Sequence, residues 1–227
     1  MSVRKSTAAK EAQKRLLILD DHPMMREGLA QLINNESDLT VCGQAGTGQE
    51  AIDLIAQQKP DLVLADISLP DKSGLEVIKE IQTFNPGLEV LVISMHEESL
   101  YAQRVLRAGA RGYIMKQEGG KKLMEAIRRV LGGQIYVSEK VSSTLLETFS
   151  APIGKTKSPI EQLSDREFEV LQLLGEGKGT GAIATHLRLS IKTVDAHRAN
   201  IKRKLNLQTG SELVRYAVRW VETQKAG

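Results

Sequence analysis

The sequence predicts a doubly wound α/β domain followed by a small all-helical domain. Three observations carry that expectation. Five short apolar runs alternate with segments of helical spacing between Leu16 and about Val137. After Leu163 only helical signals remain. The 227 residues, 41% hydrophobic and 26% charged, suffice for two domains of ordinary size and have a globular composition. The single cysteine, Cys42, excludes an intramolecular disulfide and a cysteine-based zinc centre. No apolar run approaches the roughly 18 residues of a membrane span, and the N-terminus is basic and polar rather than signal-like. A soluble, cytoplasmic protein without membrane contact is the expectation.

The first strand is Leu16–Leu19, wholly apolar as a strand buried on both faces requires, and Met24 to Ile33 gives the first helix. Thr40–Cys42, Leu62–Ala65, Val90–Ile93 and Gly112–Met115 are the remaining strands. Gln49 to Gln58, Gly74 to Ile81, Leu100 to Ala108 and Lys121 to Leu131 are the helices that follow them. Five such units joined by right-handed crossovers make a (βα)5 domain, flavodoxin-like, with strand order 2-1-3-4-5. Its bounds are 15–137, after a basic tail at 1–14 that is expected to be disordered. Ser142–Ser143, Ser150–Ala151–Pro152, Gly154 and Ser158–Pro159 mark 138–160 as a linker, with a short helical turn allowed at its start.

The second domain, 161–227, reads as four helices. Ser164-Asp165-Arg166-Glu167 is a capping box opening a helix that carries Phe168, Val170, Leu171 and Leu174. Ala182, Ile183, Ala184 and Leu187 mark a second helix. Ser190 caps a third that runs to about Leu205 and buries Val194, Ile201 and Leu205. A second box, Thr209 to Glu212, opens the last, with Leu213, Ala217, Val218 and Val221. Charge divides the chain the same way. Residues 16–137 carry twelve Lys/Arg against seventeen Asp/Glu, and 158–227 carry eleven against eight. An acidic body joined to a basic module implies different partners for the two halves.

Asp20 and Asp21 follow the first strand, and Asp66 follows the third. In a doubly wound sheet ligands collect beyond the C-terminal strand ends where the strand order reverses, here between the first and third strands. The three carboxylates should therefore converge. Unpaired they would raise one another's pKa values, a penalty that a hard divalent cation removes, and an oxygen-rich set favours Mg2+. Ser94 and Lys116, at the ends of the fourth and fifth strands, add a hydroxyl and a cation. The set forms a cradle for a transferred phosphoryl group. Taken singly, each residue has a plainer reading as a cap, turn or surface residue, and Asp61 and Asp71 are expected to be just that.

The stretches Leu16-Leu-Ile-Leu-Asp-Asp-His-Pro23, Asp61-Leu-Val-Leu-Ala-Asp66-Ile-Ser-Leu-Pro70, Val92-Ile-Ser94 and Gly112-Tyr-Ile-Met-Lys116 resemble the receiver domain of bacterial two-component response regulators. The resemblance implies that Asp66 accepts a phosphoryl group from a sensor histidine kinase, self-phosphorylation and dephosphorylation being the only chemistry. It implies that Asp20, Asp21, Asp66 and the Ser68 backbone carbonyl hold Mg2+, Asp20 largely through water. Lys116 and Ser94 would contact phosphoryl oxygens, and Tyr113 would be the switch aromatic that turns inward with Ser94. Met95 is bulkier than the family's usual residue and is expected to crowd the phosphate. Ser68 and His96 stand where the family tunes the lifetime of the phosphoryl group.

In the basic module, Arg188–Leu189–Ser190 is a turn short enough for a helix-turn-helix. From Arg188 to Lys204 there are six Lys/Arg against Asp195 alone, a charge pattern that suits DNA phosphates, although a charged stripe is usually a solvated face. Leu163-Ser-Asp-Arg-Glu-Phe-Glu-Val-Leu-Gln-Leu-Leu174, Ile183-Ala184 and Ser190-Ile-Lys-Thr-Val-Asp-Ala-His-Arg-Ala-Asn-Ile-Lys-Arg-Lys-Leu205 resemble the LuxR-type DNA-binding domain of the NarL/FixJ subfamily. That implies a recognition helix from Ile191 to Leu205 in the major groove of double-stranded DNA. Thr193, Asp195, Ala196 and Ala199 would face the bases, and Lys192, Arg198 and Lys202 the phosphates. Asp195 stands where the family usually has Lys, and Thr180-Gly181-Ala182 replaces a polar run. An acid there repels phosphates yet can accept from cytosine N4.

The function expected is a phosphorylation-controlled transcription regulator, homodimeric when phosphorylated. A Mg2+-dependent phosphohydrolase would also use a strand-end Asp, but it needs a second acid at position 68, where Ser stands, and a capping insertion that is missing. A phosphorylation-gated protein-binding adaptor, whose helical module does not read DNA, is the alternative that Asp195 and Gly181 leave open.

Overall fold

The computed structural model describes residues 13–150 and 159–226. Strands β1 (Lys14–Leu19), β2 (Leu39–Ala45), β3 (Leu62–Ala65), β4 (Glu89–Ser94) and β5 (Gly112–Met115) form a parallel sheet ordered β2-β1-β3-β4-β5. Helices α1 (Pro23–Asn34), α2 (Gly48–Gln58), α3 (Gly74–Phe84), α4 (Glu98–Arg107) and α5 (Gly120–Leu131) alternate with them. Successive strand side chains point to opposite faces, which divides the core in two. Leu16, Ile18, Leu62, Leu64, Leu91 and Ile93 pack with Leu29 and Ile33 of α1 and Ile127 of α5. Leu17, Leu19, Val63, Ala65, Val90 and Val92 pack with α2, α3 and α4. β2 is longer than the predicted Thr40–Cys42. Its register slips so that Val41 and Gly43 oppose Leu16 and Leu17, leaving Cys42 as the extra residue of a bulge.

The predicted tail at 1–14 lies outside the described residues as far as residue 12, and Lys14 already belongs to β1. Asp61 pairs with Lys14 at 3.1 Å and accepts from the Arg15 amide at 2.8 Å. Asp71 accepts from the Gly48 and Gln49 amides at the start of α2, at 3.0 and 3.1 Å. Both are therefore a cap or tie, and Asp71 fixes the loop that follows Asp66. A Cβ on Gly74 would stand 2.5 Å from the Asp66 carbonyl oxygen, so only glycine lets α3 begin against the end of that loop.

The first part of the predicted linker forms α6 (Glu139–Ser150), a full helix rather than a turn. Buried Val141 and partly buried Leu145 anchor it to the core, and the Ser138 amide donates to Glu98 of α4 at 2.8 Å. Residues 151–158 of that linker lie outside the described residues. Beyond them come α7 (Asp165–Gly175), α8 (Thr180–His186), α9 (Ile191–Lys204) and α10 (Gly210–Ala226). Ser164 and Ser190 cap α7 and α9, accepting from the Glu167 and Thr193 amides. Phe168, Leu171, Ile183, Val194, Ile201, Leu213 and Ala217 fill the helical core. α8 runs straight through Gly181, at which a Cβ would meet nothing within 4 Å.

The two domains are docked through α3, α4 and α7. Tyr101 of α4, Phe168 of α7 and Trp220 of α10 form an edge-to-face ladder with centroids 5.2 and 5.3 Å apart. Arg104 lies 4.1 Å over the Phe168 ring and donates to the Ile160 and Leu163 carbonyls at 2.6 and 3.1 Å. Lys79 pairs with Asp165 at 2.6 Å. The buried Ser73 hydroxyl donates to the buried Glu169 carboxylate at 2.6 Å. Among the described residues no helix is long and apolar enough to cross a membrane.

Candidate functional site

Two strand ends bring the predicted carboxylates together. Asp20 and Asp21 leave β1 and Asp66 leaves β3; together with His22 they offer ligand atoms all within 4.8 Å of one another. Asp20 is fully buried and Asp66 is 4% exposed. Lys116, just past β5, reaches in to pair with Asp20 at 2.5 Å and Asp66 at 2.8 Å. Burial pushes the Asp66 carboxyl above its ordinary range, against the pull of Lys116 and with Asp20 adding to the rise. Burial also works against the Lys116 charge, but Asp66 and Asp20 outweigh it and hold the ammonium above its usual value. The other Asp66 oxygen accepts from the Ile67 and Ser68 amides at 2.6 and 3.3 Å. Asp21 differs from its neighbours. Its Oδ2 accepts from Arg188 of the helical domain at 3.1 Å, and its Oδ1 is buried without a hydrogen-bond partner. His22 Nδ1 lies 2.7 Å from that oxygen but off the hydrogen-bonding direction.

Ser94 is fully buried at the end of β4 and accepts from the His96 amide at 3.2 Å. Tyr113 is buried, its hydroxyl donating to the His96 carbonyl at 2.8 Å. Burial drives the Tyr113 phenol far above its usual range, a rise that Ser94 partly opposes. His96 links the pocket to the helical domain: Nε2 lies 3.0 Å from the Ser68 hydroxyl, and Nδ1 lies 3.4 Å from the Gln172 side-chain nitrogen. Burial lowers His96 to about 4, against the pull of Glu176. Met95, the residue after Ser94, is 58% exposed. A cleft of about 250 Å3 runs from Asp21, His22 and Ser68 past His96 to His186 and Arg188, between the two domains.

In the helical domain, α8, a turn at Leu187–Ser190 and α9 make a helix-turn-helix. Lys192, Asp195, Ala196 and Ala199 are exposed on one face of α9, while Thr193, Arg198 and Lys202 are half-buried. The Thr193 hydroxyl joins the cap, 2.7 Å from Ser190 Oγ. Arg198 bridges Asp195, at 3.4 Å, to the Thr180 hydroxyl of α8. That pairing offsets the acid that the sequence puts on this face. Lys204 ties the far end of α9 to Glu167 of α7 at 2.7 Å.

Residues 16–128 match the response regulator receiver domain, and residues 161–217 match the bacterial regulatory proteins of the luxR family. The chain is 36% identical over 210 residues to the oxygen regulatory protein NreC of Staphylococcus carnosus, covering 90% of this chain and 97% of that one. The NreC of Staphylococcus aureus strain MRSA252 is 37% identical with the same coverage. The chain belongs to the LuxR-type response regulators. Solved structures agree. RcsB of Salmonella enterica serovar Typhimurium, bound to promoter rprA with the phosphomimetic BeF3−, aligns at TM-score 0.60 and 26% identity over 91% of this chain and 98% of that one. A LuxR-family response regulator of Aurantimonas aligns at TM-score 0.57 and 30% identity, over 62% of this chain and all of that one.

Of the receiver residues singled out by sequence, Asp20, Asp21, Asp66 and Lys116 thus meet in one pocket, Ser94 and Tyr113 meet at His96, and the residues expected to face DNA share one helix. What sequence reasoning missed in this response regulator is the seam between its domains. Ser73, Glu169, Arg104, Gln172 and Arg188 carry it, each through a partner at least 56 positions away. Arg188 counted only as one cation of the stripe. Its left-handed backbone, φ 52°, is the local oddity that picks it out, and it becomes visible only in three dimensions.

Proposed function

We propose that this response regulator couples phosphorylation of Asp66 to its occupancy of DNA as a transcription regulator. The observation that carries the reading is the convergence of Asp20, Asp21, Asp66 and Lys116 on one pocket, in a chain whose second domain offers an exposed helix-turn-helix face. The donor set fits Mg2+: it is rich in carboxylate oxygens, and Asp21 Oδ1 is a buried acceptor without a hydrogen-bond partner. Asp20, Asp21, Asp66 and the Ser68 carbonyl would hold the ion. When bound, it supplies charge neutralisation for the carboxylates and the phosphoryl oxygens.

An Asp66 oxygen attacks the phosphorus of a phosphohistidine on a sensor kinase, or of a small phosphodonor. The bond to the donor breaks as the acyl phosphate forms on Asp66. Lys116 then shifts from the carboxylates to a phosphoryl oxygen, and the Ser94 hydroxyl donates to another. Ser94 and Tyr113 both bond to His96, so movement of Ser94 is felt at Tyr113 and at Gln172 of α7. The molecule works as a receiver from β1 to residue 137, connector 138–160 and DNA-binding module 161–227, in the cytoplasm, and as a dimer on paired half-sites when phosphorylated. Lys192 faces phosphates, and Asp195, Ala196 and Ala199 face bases.

The test is selection from a randomised DNA pool by full-length protein, with and without acetyl phosphate and Mg2+, alongside Asp66→Asn. Mass spectrometry should find one added phosphoryl group on the wild type and none on the variant. Enrichment of a paired site should rise with phosphodonor in the wild type only. Enrichment that ignores Asp66 would refute phosphorylation control, and no enrichment under any condition would refute DNA reading.

A further inference from the structure

We propose that Arg188 is an internal competitor of the divalent cation: it holds Asp21 when the helix-turn-helix is docked, so metal binding and docking weaken one another. The inference rests on the reading that the acidic pocket takes a divalent cation. Asp21 is the least buried of the three carboxylates, its side chain 15% exposed, and it opens onto the cleft between the domains. Arg188 reaches across that cleft from 167 positions away to bond Asp21 Oδ2 at 3.1 Å. The residue sits in the turn between α8 and α9 with φ 52°, a conformation in which Asn or Gly is at ease and arginine is strained. The chain thus keeps a cation at a backbone position ill suited to it, and that cation points at the pocket.

Charge balance gives the direction. Asp20, Asp21 and Asp66 face Lys116 and Arg188, three negative charges against two positive. Adding a divalent cation with Arg188 in place would leave an excess of positive charge inside a partly desolvated cleft. Releasing Arg188 restores neutrality, because Lys116 and the ion then balance the three carboxylates. Arg188 lies two residues before Ser190, the cap of α9, so once released it extends the basic edge of the helix-turn-helix toward a DNA phosphate. Linkage then requires that the metal and DNA each strengthen binding of the other, even without phosphorylation.

The test uses unphosphorylated, full-length protein, with Mn2+ binding read by electron paramagnetic resonance of the free ion. Arg188→Asn suits the left-handed turn and removes the charge. Arg219→Asn removes a charge from an exposed part of α10 instead. The first variant should bind Mn2+ about two- to fivefold more tightly than wild type, the range a half-exposed ion pair supports, and the second should match wild type. In a separate arm with wild type alone, Mg2+ without phosphodonor should shift the emission of Trp220, the only tryptophan, which rests on Phe168 beside the seam. Equal Mn2+ affinity in wild type and Arg188→Asn would overturn the proposal, as would equal tightening in Arg219→Asn or an unmoved Trp220 while metal binds. Failure of every protein to bind Mn2+ would overturn the metal reading and take the proposal with it.

Discussion

Replacing Ser73 by Ala should open the docked molecule. Its hydroxyl is fully buried, and it donates at 2.6 Å to a Glu169 carboxylate that is 5% exposed, joining the α3 start to α7. A hydrogen bond to a charged group contributes about 1.5–3 kcal/mol, and a buried partner left unpaired would lose the upper part of that range. Glu169 keeps Arg166 at 2.9 Å on its own helix, so the lower part applies. The Ser73 amide, held by Glu76 at 3.2 Å, survives the substitution, which limits damage to α3. The expected cost is about 1.5 kcal/mol, or roughly tenfold in the ratio of open to docked molecules. Urea titration followed by Trp220 emission should show an earlier transition for Ser73→Ala. Glu169→Gln alone and the double variant complete a cycle in which the two changes should cost clearly less together than the sum of each alone. An unmoved transition, or strictly additive effects, would refute the reasoning.

Three further outcomes follow from other contacts. Burial lowers His96 to about 4, so the unfolded chain takes up a proton that the folded one refuses; stability is full above about pH 6.5 and falls toward pH 4. The His96 share of that loss should reach about 1.4 kcal/mol by pH 5.5, and a urea midpoint with the same pH response in His96→Gln would contradict it. Lys116→Met leaves Asp20 and Asp66 buried without their cation, at a cost of about 3–5 kcal/mol that added Mg2+ should partly restore. Thermal unfolding with and without Mg2+ reads both effects, and an unchanged midpoint would count against the ion-pair account. Gly74→Ala sets a Cβ 2.5 Å from the Asp66 carbonyl oxygen and 2.6 Å from Ile67 Cα, backbone atoms that cannot swing aside, so a loss of about 2 kcal/mol or more is expected in denaturant titrations. A neutral variant would show that the loop after Asp66 shifts freely.

The α/β core was legible because Leu16–Leu19 and Leu62–Ala65 are buried on both faces and so read as unbroken apolar runs. β2 was less so: as an edge strand with a bulge at Cys42 it is half-buried, and its Gly43 and exposed polar Gln44 shorten the visible signal. α6 hid behind Ser142, Ser143 and Thr144, residues that favour turns as readily as helices and need Val141 and Leu145 to dock before the helix is worth forming. The pocket carboxylates were readable because each directly follows a strand, where topology alone makes them neighbours. The seam was not, since Lys79 with Asp165 and Ser73 with Glu169 are 86 and 96 positions apart and share no period or motif.

The ladder of Tyr101, Phe168 and Trp220 also gives the molecule a thermal character. Its contribution to docking is mainly removal of apolar surface from water, which weakens on cooling because its driving force near room temperature is entropic. Lys79–Asp165 and Ser73–Glu169 do not share that dependence. As temperature falls, the seam comes to depend more on its polar bonds, and a cold molecule separates its domains more readily than a warm one carrying the same phosphoryl load.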